Sequence, residues 1–176
     1  MMAWKKSKPE FGGFELVEST VPTPHSNEVL VKTHSTSICG TDIHIWKWDD
    51  WASENVPLGT ITGHETCGTV IAVGEGVTTH KIGDEIAVEC HLACWDCDRC
   101  DEGNAHICEN GQIFGVHTDG AFAPYFTIPS INARHLPDNL PLELASIQDP
   151  LGNAIHTLTG GPVDGSIVAI HGLGPI

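Results

Sequence analysis

With 176 residues, the chain is long enough for a domain with its own hydrophobic core, and its 40% hydrophobic and 18% charged residues exclude a largely disordered protein. Acidic residues outnumber basic ones 23 to 8, which gives a formal net charge of −15. This charge repels phosphate backbones and anionic lipid surfaces, so neither nucleic acid nor a membrane is an expected partner.

The first part of the chain is predicted to be mainly β. Short β-branched runs bounded by turn residues, which are typical of strands, lie at 28–33, 68–73, 82–88 and 122–128. Strands at such close spacing predict a mostly antiparallel barrel or sandwich that extends to about residue 130.

The end of the chain has a different pattern. Apolar residues at helical offsets between 142 and 159, interrupted by Pro150 and Gly152, predict two short helices with a kink between them. The following segment, 166–176, has the pattern of a buried parallel strand that runs into a Gly-x-Gly turn. A strand followed by this glycine pair is only half of a dinucleotide-binding fingerprint, so taken alone it is a weak indication of nucleotide binding.

The cellular location is predicted from the N-terminus and the cysteines. The N-terminal segment contains three lysines without an apolar run after them, and no eighteen consecutive apolar residues occur anywhere. Neither a secretion signal nor a membrane-spanning helix is therefore predicted. Four of the seven cysteines fall close together at spacings typical of metal ligands, which favours metal binding over disulfides in an intracellular protein. A cytoplasmic location is the resulting expectation.

The strongest chemical signal is a Cys-x-x-Cys-x-x-Cys run with a fourth cysteine shortly after it. The four residues are Cys94, Cys97, Cys100 and Cys108. Four thiolates can complete a tetrahedral zinc shell with no position open for a substrate, so the predicted role is structural. The surrounding lobe has little apolar content, and bound metal would have to supply much of its folding free energy. Two disulfides or an iron–sulfur cluster are the alternatives, and spacing alone does not exclude the cluster.

A second possible metal site is dispersed along the chain. Its candidates are Cys39 in the string CGTDIH, the adjacent His64 and Glu65, and Asp149. Thiolate, imidazole and carboxylate are ligands of catalytic zinc, which keeps one position free for water or a substrate oxygen and lowers the pKa of a bound hydroxyl. Each residue alone also fits an ordinary structural role, such as a buried cysteine or a surface carboxylate. Their combination is what predicts a catalytic site.

Several longer strings extend this pattern over nearly the whole chain. In order they are CGTDIH, GHETCGTVIAVGEGV, IGDEIAVE, the four-cysteine lobe, GAFAPYFTIP, LPDNLPLELASIQDPLGNAIHT and GLGPI. In these strings the chain resembles the zinc-dependent medium-chain alcohol dehydrogenase family. The resemblance implies a mainly β, GroES-like barrel with a few short helices as the catalytic domain at 1–150, with the structural zinc lobe at about 90–112. Residues 151–176 would then be a connecting helix and the first strand of an incomplete Rossmann domain that binds NAD.

The resemblance also implies a set of ligands for the catalytic zinc. Cys39, His64 and Glu65 match the family's ligands at this site. Asp149 matches a carboxylate that can approach the metal and exchange with water. Permanent ligation by Asp149 is less firmly implied, because some branches of the family have the longer glutamate there.

Proton transfer, substrate contact and nucleotide binding are implied in the same way. Thr41 and His44 match a hydroxyl and an imidazole that move the substrate proton outward while the reacting centre stays dry. His91 matches a position that faces the substrate, and simple packing explains this residue equally well. Gly172 and Gly174 match the turn that contacts NAD.

The expected function is therefore that of an NAD-linked oxidoreductase acting on a small secondary alcohol, with one structural and one catalytic zinc and a homo-oligomeric complete protein. The chain alone is expected to bind NAD weakly and to be inactive, because most of the nucleotide-binding domain would lie beyond Ile176. A polyol or sugar dehydrogenase of the same family is the nearest alternative. A non-catalytic zinc-binding interaction module and a GroES-like assembly protein are the alternatives from other classes.

Overall fold

The computed structural model describes residues 1–172 and residue 174, and within them the protein is mainly β. The strands are β1 (Met2–Lys6), β2 (Phe14–Glu18), β3 (Glu28–Thr36), β4 (Thr66–Val73), β5 (Glu85–Val88), β6 (His91–Leu92), β7 (Gln112–Ile113), β8 (Tyr125–Pro129) and β9 (Ala133–His135). The helices are α1 (Gly40–Lys47), α2 (Asp50–Asn55), α3 (Asp98–Asp101) and α4 (Gln148–Thr159), with 3-10 helices at Ala105–Ile107, Ser130–Asn132 and Leu142–Ile147. None of the helices in this described part has the length and apolar character that crossing a membrane requires.

A five-stranded antiparallel sheet with the order β8-β3-β4-β5-β9 forms the centre of the fold. Val31 on β3 lies opposite both Val70 on β4 and Phe126 on β8. These side chains are buried together with Val29 and Ile128, because alternate residues of a strand point to the same face. The sheet curls into a half-barrel around this core, which confirms the predicted fold class.

The four strands predicted from the sequence are all present, with shifted ends. β3 and β4 cover the predicted segments, whereas β5 starts at Glu85 and β8 at Tyr125. A turn delays the start of β5: the Lys81 N–H donates to Asp84 Oδ2 at 2.9 Å, and Gly83 has a φ of 96°. The other strands are short, and the sequence pattern does not predict them.

A buried lysine attaches the β1–β2 ribbon to the rest of the fold. Lys6 is inaccessible to solvent, and its ammonium donates to the carbonyl oxygens of Glu10 and Gly12 at 2.7 and 2.8 Å. The ring of Trp48, which caps the end of α1, lies 4.8 Å from the ammonium, within range of a cation–π contact. Burial lowers the pKa of Lys6, and the nearby Glu10 partly offsets this effect. Lys6 therefore holds the loop after β1 against α1.

The predicted helical region forms two consecutive helices, but the predicted break at Pro150 and Gly152 is wrong. The 3-10 helix Leu142–Ile147 passes directly into α4, and Pro150 is the third residue of α4. Proline is tolerated there because the N–H groups of the first turn have no acceptor within the helix. Gly152 lies inside α4 as well, so neither residue interrupts the helix.

The predicted strand at 166–172 is not formed. These residues are exposed, Ile167 and Ile170 among them, and no strand in the described part of the chain pairs with them. A parallel strand depends on neighbouring strands for its hydrogen bonds and for the burial of both faces, so a β-branched apolar pattern alone does not produce one. Leu173, Pro175 and Ile176, which also belong to the predicted segment, lie outside the described residues.

Candidate metal centres

Three side chains from two distant parts of the chain converge at one point. The donor atoms of Cys39, His64 and Glu65 lie within 4.8 Å of one another. Cys39 precedes α1, whereas His64 and Glu65 precede β4, and the pairing of β3 with β4 brings the two segments together. Thiol, imidazole and carboxylate are donors that zinc accepts. The structure thus places three of the four predicted catalytic-zinc ligands in one group.

Helix capping fixes the position of Cys39. Cys39 is the N-cap of α1, and its backbone N–H donates to Asp42 Oδ2 at 2.9 Å in a capping box. The other carboxylate oxygen of Asp42 lies 4.0 Å from His64 Nδ1. Asp42 therefore connects two of the candidate ligands. It is not among the predicted site residues, although the capping-box spacing from Cys39 to Asp42 is the signal for it in the sequence.

Close backbone packing fixes the segment that carries His64. Gly63 has a φ of 91°, in the left-handed region that glycine adopts without strain. Its carbonyl oxygen accepts from the Ala121 N–H at 2.8 Å. A Cβ added at Gly115 or at Gly120 would lie 2.3 Å from this same oxygen. Side chains at these positions would push the segment away, so the glycines are required for the position of His64.

The buried polar atoms of the group fit a bound metal ion. His64 Nδ1 and Asp42 Oδ1 are buried without a hydrogen-bond partner among the described residues, which is costly unless another group satisfies them. Burial raises the pKa of the Cys39 thiol, and hydrogen bonds with Thr41 partly offset this effect. Burial also raises the pKa of Asp42, against the opposing effect of His64. A divalent cation would stabilise the deprotonated donors, so the residues present fit zinc.

An open cavity of about 730 Å³ adjoins two of the three donors. Its lining includes Cys39 and Glu65 and, from α1, the predicted relay residues Thr41 and His44. Thr41 Oγ1 lies 3.6 Å from Cys39 Sγ. The remaining wall is mostly apolar and includes Ile147, Pro150, Leu151 and Ala154. A small cavity with a few convergent polar groups and an apolar wall is typical of a site for a small molecule.

Asp149 does not join this group in the structure, contrary to the prediction. α4 lies between two cavities, and its residues Pro150, Leu151 and Ala154 face the cavity next to Cys39. Asp149 faces a second cavity of about 350 Å³, because a helix of 3.6 residues per turn directs adjacent residues to different sides. The Cys90 N–H donates to Asp149 Oδ1 there at 3.5 Å. The placement of Asp149 therefore depends on the rotation of α4 about its axis, which the sequence pattern does not specify.

His91 lies beside Asp149 in the second cavity, separate from the cavity that contains Cys39. Glu89, Cys90, His91 and Asp149 have donor atoms within 4.8 Å of one another. His91 Nδ1 and the backbone N–H of His91 both bond to Glu89 Oε1, at 2.7 and 2.9 Å. The bond to Glu89 raises the pKa of His91, and burial together with the nearby Asp149 raises the pKa of the Cys90 thiol.

The four-cysteine lobe is a separate candidate centre. Its sulfur atoms are 3.6 Å apart for Cys97 and Cys100, 3.8 Å for Cys97 and Cys108, and 3.4 Å for Cys94 and Cys108. Four sulfurs bound to one zinc at about 2.3 Å would be about 3.8 Å apart, so this spacing fits a single tetrahedral ion. All seven cysteines lie in the described part of the chain and are free thiols there, which argues against the disulfide alternative.

Backbone N–H groups directed at these sulfurs favour the thiolate form. The Cys94 N–H donates to Cys108 Sγ at 3.2 Å. Backbone hydrogen bonds lower the pKa of Cys97 to about 7 and also lower the pKa of Cys108. Burial and the neighbouring sulfur of Cys97 raise the pKa of Cys100 to about 12. A metal ion binds the thiolate form, so its binding displaces the protons that remain on the other thiols.

Comparison with known proteins identifies the class. A model of the alcohol dehydrogenase GroES-like domain matches residues 25–138. The chain therefore belongs to the GroES-like alcohol dehydrogenase family, in agreement with its half-barrel and its zinc-type donor groups. Among curated relatives, it is 48% identical to the L-threonine 3-dehydrogenase of Pyrococcus furiosus over 176 residues, which is the whole of this chain and 50% of that protein. The chain thus spans about half the length of the curated relatives it matches.

Solved structures agree with this assignment. An alcohol dehydrogenase from Escherichia coli CFT073, crystallised with NADH, is 32% identical with a TM-score of 0.79, over 88% of this chain and 44% of that one. Galactitol-1-phosphate dehydrogenase from Escherichia coli is 28% identical with a TM-score of 0.82, over 90% of this chain and 44% of that one. Both similarities involve less than half of the other protein.

Proposed function

We propose that this chain forms the substrate-binding half of a zinc-dependent, NAD-linked dehydrogenase that oxidises L-threonine to 2-amino-3-ketobutyrate. The observation that carries the proposal is the convergence of Cys39, His64 and Glu65, with two of them lining an open cavity. The 48% identity to the Pyrococcus furiosus L-threonine 3-dehydrogenase supports the choice of substrate.

Zinc held by Cys39, His64 and Glu65 would supply a Lewis acid for the substrate hydroxyl. Thr41 lies next to Cys39 and accepts the proton that the hydroxyl loses. His44 is three residues further along α1, on the same side of the helix, and takes the proton from Thr41. The side chain of His44 is 58% exposed, so the proton can leave to solvent. The apolar wall formed by α4 offers a surface from which a bound substrate would displace water.

The dehydrogenase would use NAD as its cofactor. Gly172 and Gly174 would contact NAD, which requires the strand and helix that complete a nucleotide-binding fold, so this chain alone would turn over no substrate. Asp149 would approach the zinc only from the neighbouring cavity. His91 lies in that same cavity, so it would face the substrate only from there. The protein would hold one zinc ion at the Cys39 group and one in the four-cysteine lobe. The complete protein would be a homo-oligomer in the cytoplasm, where thiols stay reduced.

A polyol dehydrogenase is the second candidate. It is favoured by the similarity to galactitol-1-phosphate dehydrogenase, which has the higher TM-score of the two structures compared. Both candidates use the same metal centre and the same proton path, and they differ only in the molecule that fills the cavity.

A substrate assay of the full-length protein with NAD distinguishes the two candidates. We expect oxidation of L-threonine, weak or no oxidation of sorbitol and galactitol 1-phosphate, and loss of activity in His64→Ala. His34→Ala is the matched control, because His34 is an exposed histidine on β3, and it should keep full activity. Activity confined to a polyol would refute the threonine assignment.

A further inference from the structure

The junction between α1 and α2 places a carboxylate beside His44. Trp48 ends α1 with φ 56° and ψ 47°, and its backbone N–H donates to the His44 carbonyl oxygen at 2.9 Å. This left-handed residue ends the helix, and the next residue, Asp49, is the N-cap immediately before α2. Asp49 Oδ1 accepts from the Ala52 N–H at 3.0 Å and thereby caps the helix.

The second carboxylate oxygen of Asp49 forms a hydrogen bond with the His44 ring. Asp49 Oδ2 contacts His44 Nδ1, and the ring of Trp51 lies edge-on to His44 with the ring centres 6.2 Å apart. An ionised carboxylate only accepts hydrogen bonds, so Nδ1 must carry the hydrogen of the neutral imidazole. His44 Nε2 is then left as the acceptor.

Asp49 is anchored independently of His44. The hydrogen bond to Ala52 fixes its side chain at the start of α2. Ala52 of α2 and Val56, the residue after the helix, pack in turn in one cluster with Ile45 of α1. Hydrogen bonds from His44 and from the Ala52 backbone lower the pKa of Asp49, which agrees with an ionised carboxylate near neutral pH. The acceptor for His44 is therefore held in place by the packing of two helices.

We propose that Asp49 is a positioning residue for the proton path, holding His44 as the Nδ1–H tautomer so that Nε2 can accept a proton arriving from Thr41. The inference rests on the proposed function for its catalytic meaning. Its structural part, the tautomer of His44, stands without it. A residue that orients a histidine through its other ring nitrogen acts in the same way as the outer partners of metal-bound or catalytic histidines.

Asp49→Asn is the informative variant. Asparagine is as good an N-cap as aspartate, so its carbonyl oxygen can still accept from the Ala52 N–H and α2 should remain intact. Its NH₂ group then faces His44 Nδ1 and donates to it, which reverses the tautomer. Asp50→Asn is the matched control, because it removes the same charge one residue later. Asp50 accepts a hydrogen bond from the Ser53 hydroxyl through its backbone carbonyl oxygen, which the substitution keeps.

Nitrogen-15 NMR of the His44 ring in this chain, at about pH 9 where ordinary histidines are neutral, reads the tautomer directly. We expect Nδ1–H in the wild type and in Asp50→Asn, and Nε2–H in Asp49→Asn. An Nε2–H tautomer in the wild type, or unchanged ring signals in Asp49→Asn, would overturn the inference whatever the enzyme does.

Kinetics of the full-length holoenzyme test the catalytic part. We expect Asp49→Asn to lower kcat for the alcohol about 10- to 100-fold with little change in KM, and Asp50→Asn to leave both unchanged. Full turnover in Asp49→Asn with a reversed tautomer would overturn the positioning role. Absence of threonine oxidation in a wild type that shows the Nδ1–H tautomer would refute the proposed function instead, so the two failures are distinguishable.

Discussion

Gly63 lies so close to Phe122 that the site depends on the absence of a side chain at Gly63. A Cβ at this position would be 2.6 Å from Phe122 Cδ1, well inside van der Waals contact. Gly63 also has a φ of 91°, and it immediately precedes His64. The position of a candidate zinc ligand is therefore set by a glycine that is not itself among the candidate ligands.

Gly63→Ala should destabilise the fold and weaken metal binding at the same time. The strained backbone and the clash with Phe122 together should lower the free energy of unfolding by about 2 kcal/mol or more. Urea unfolding and zinc content measure the two effects. Gly152→Ala is the control, because Gly152 is in α4 with no atom within 4 Å of an added Cβ, and it should raise stability by about 0.5–1 kcal/mol. A Gly63→Ala protein as stable as the wild type would contradict this account.

Lys6→Met tests the buried ammonium. The substitution keeps the length of the side chain and leaves the carbonyl oxygens of Glu10 and Gly12 without their donor, which should cost about 1–3 kcal/mol in urea unfolding. Lys5→Met changes the neighbouring lysine, for which the structure gives no side-chain hydrogen bond among the described residues, and it should have an effect near zero. Equal effects of the two substitutions would show that the ammonium of Lys6 does not stabilise the loop.

His80 should make stability depend on pH. Burial, with a contribution from the stacked His135, lowers the pKa of His80 in the folded protein, so the unfolded chain takes up this proton at the higher pH. The unfolded state therefore binds more protons below about pH 6.5, and the free energy of unfolding should fall as the pH drops from that value.

His80→Gln isolates this contribution. The glutamine amide can still donate to the Ala133 carbonyl oxygen, which His80 Nε2 contacts at 3.0 Å, but it does not titrate. Unfolding free energies measured from pH 7.5 to 5 should fall less steeply in His80→Gln than in the wild type or in the exposed control His34→Gln. Parallel curves for all three proteins would be evidence against the prediction.

Cys97→Ser should remove the metal ion from the four-cysteine lobe and unfold the lobe locally. The lobe has little apolar core, so its order depends on the metal. Limited proteolysis should then cleave the chain within about 90–112, while the half-barrel remains folded. Cys67→Ala, which changes a buried cysteine outside the donor groups, should keep the lobe intact. Protection of the lobe in Cys97→Ser would show that it folds without its ion.

Features with a local cause could be predicted from the sequence. The four-cysteine spacing and the β-branched runs of β3 and β4 act over a few residues, and the structure contains both. The capping residues Asp42 and Asp49 also have local signals, but those signals do not tell which other side chain the carboxylate contacts. The residue types group Cys39 with His64 as candidate ligands, but the sequence does not show that they lie close together, because the register between β3 and β4 is set by the whole sheet.

Features that depend on packing between distant segments could not be predicted. The rotation of α4 about its axis turns Asp149 toward Cys90 instead of Cys39, and this rotation depends on contacts with segments far away in the sequence. Close approaches such as the contact of Gly63 with Gly120 involve backbones far apart in the chain. The segment 166–172 has the composition of a buried strand, but the described part of the chain offers it no neighbouring strand.

Cys39, His64 and Glu65 should bind one divalent ion, independently of the four-cysteine lobe. Zinc content after equilibration with excess zinc and gel filtration tests it most directly, for the wild type, His64→Ala and Cys97→Ser. We expect two zinc ions per chain in the wild type, one at Cys39, His64 and Glu65 and one in the four-cysteine lobe, and a single ion in each variant. A single ion per wild-type chain that His64→Ala retains would contradict it, and would instead favour a zinc-binding module without a catalytic centre.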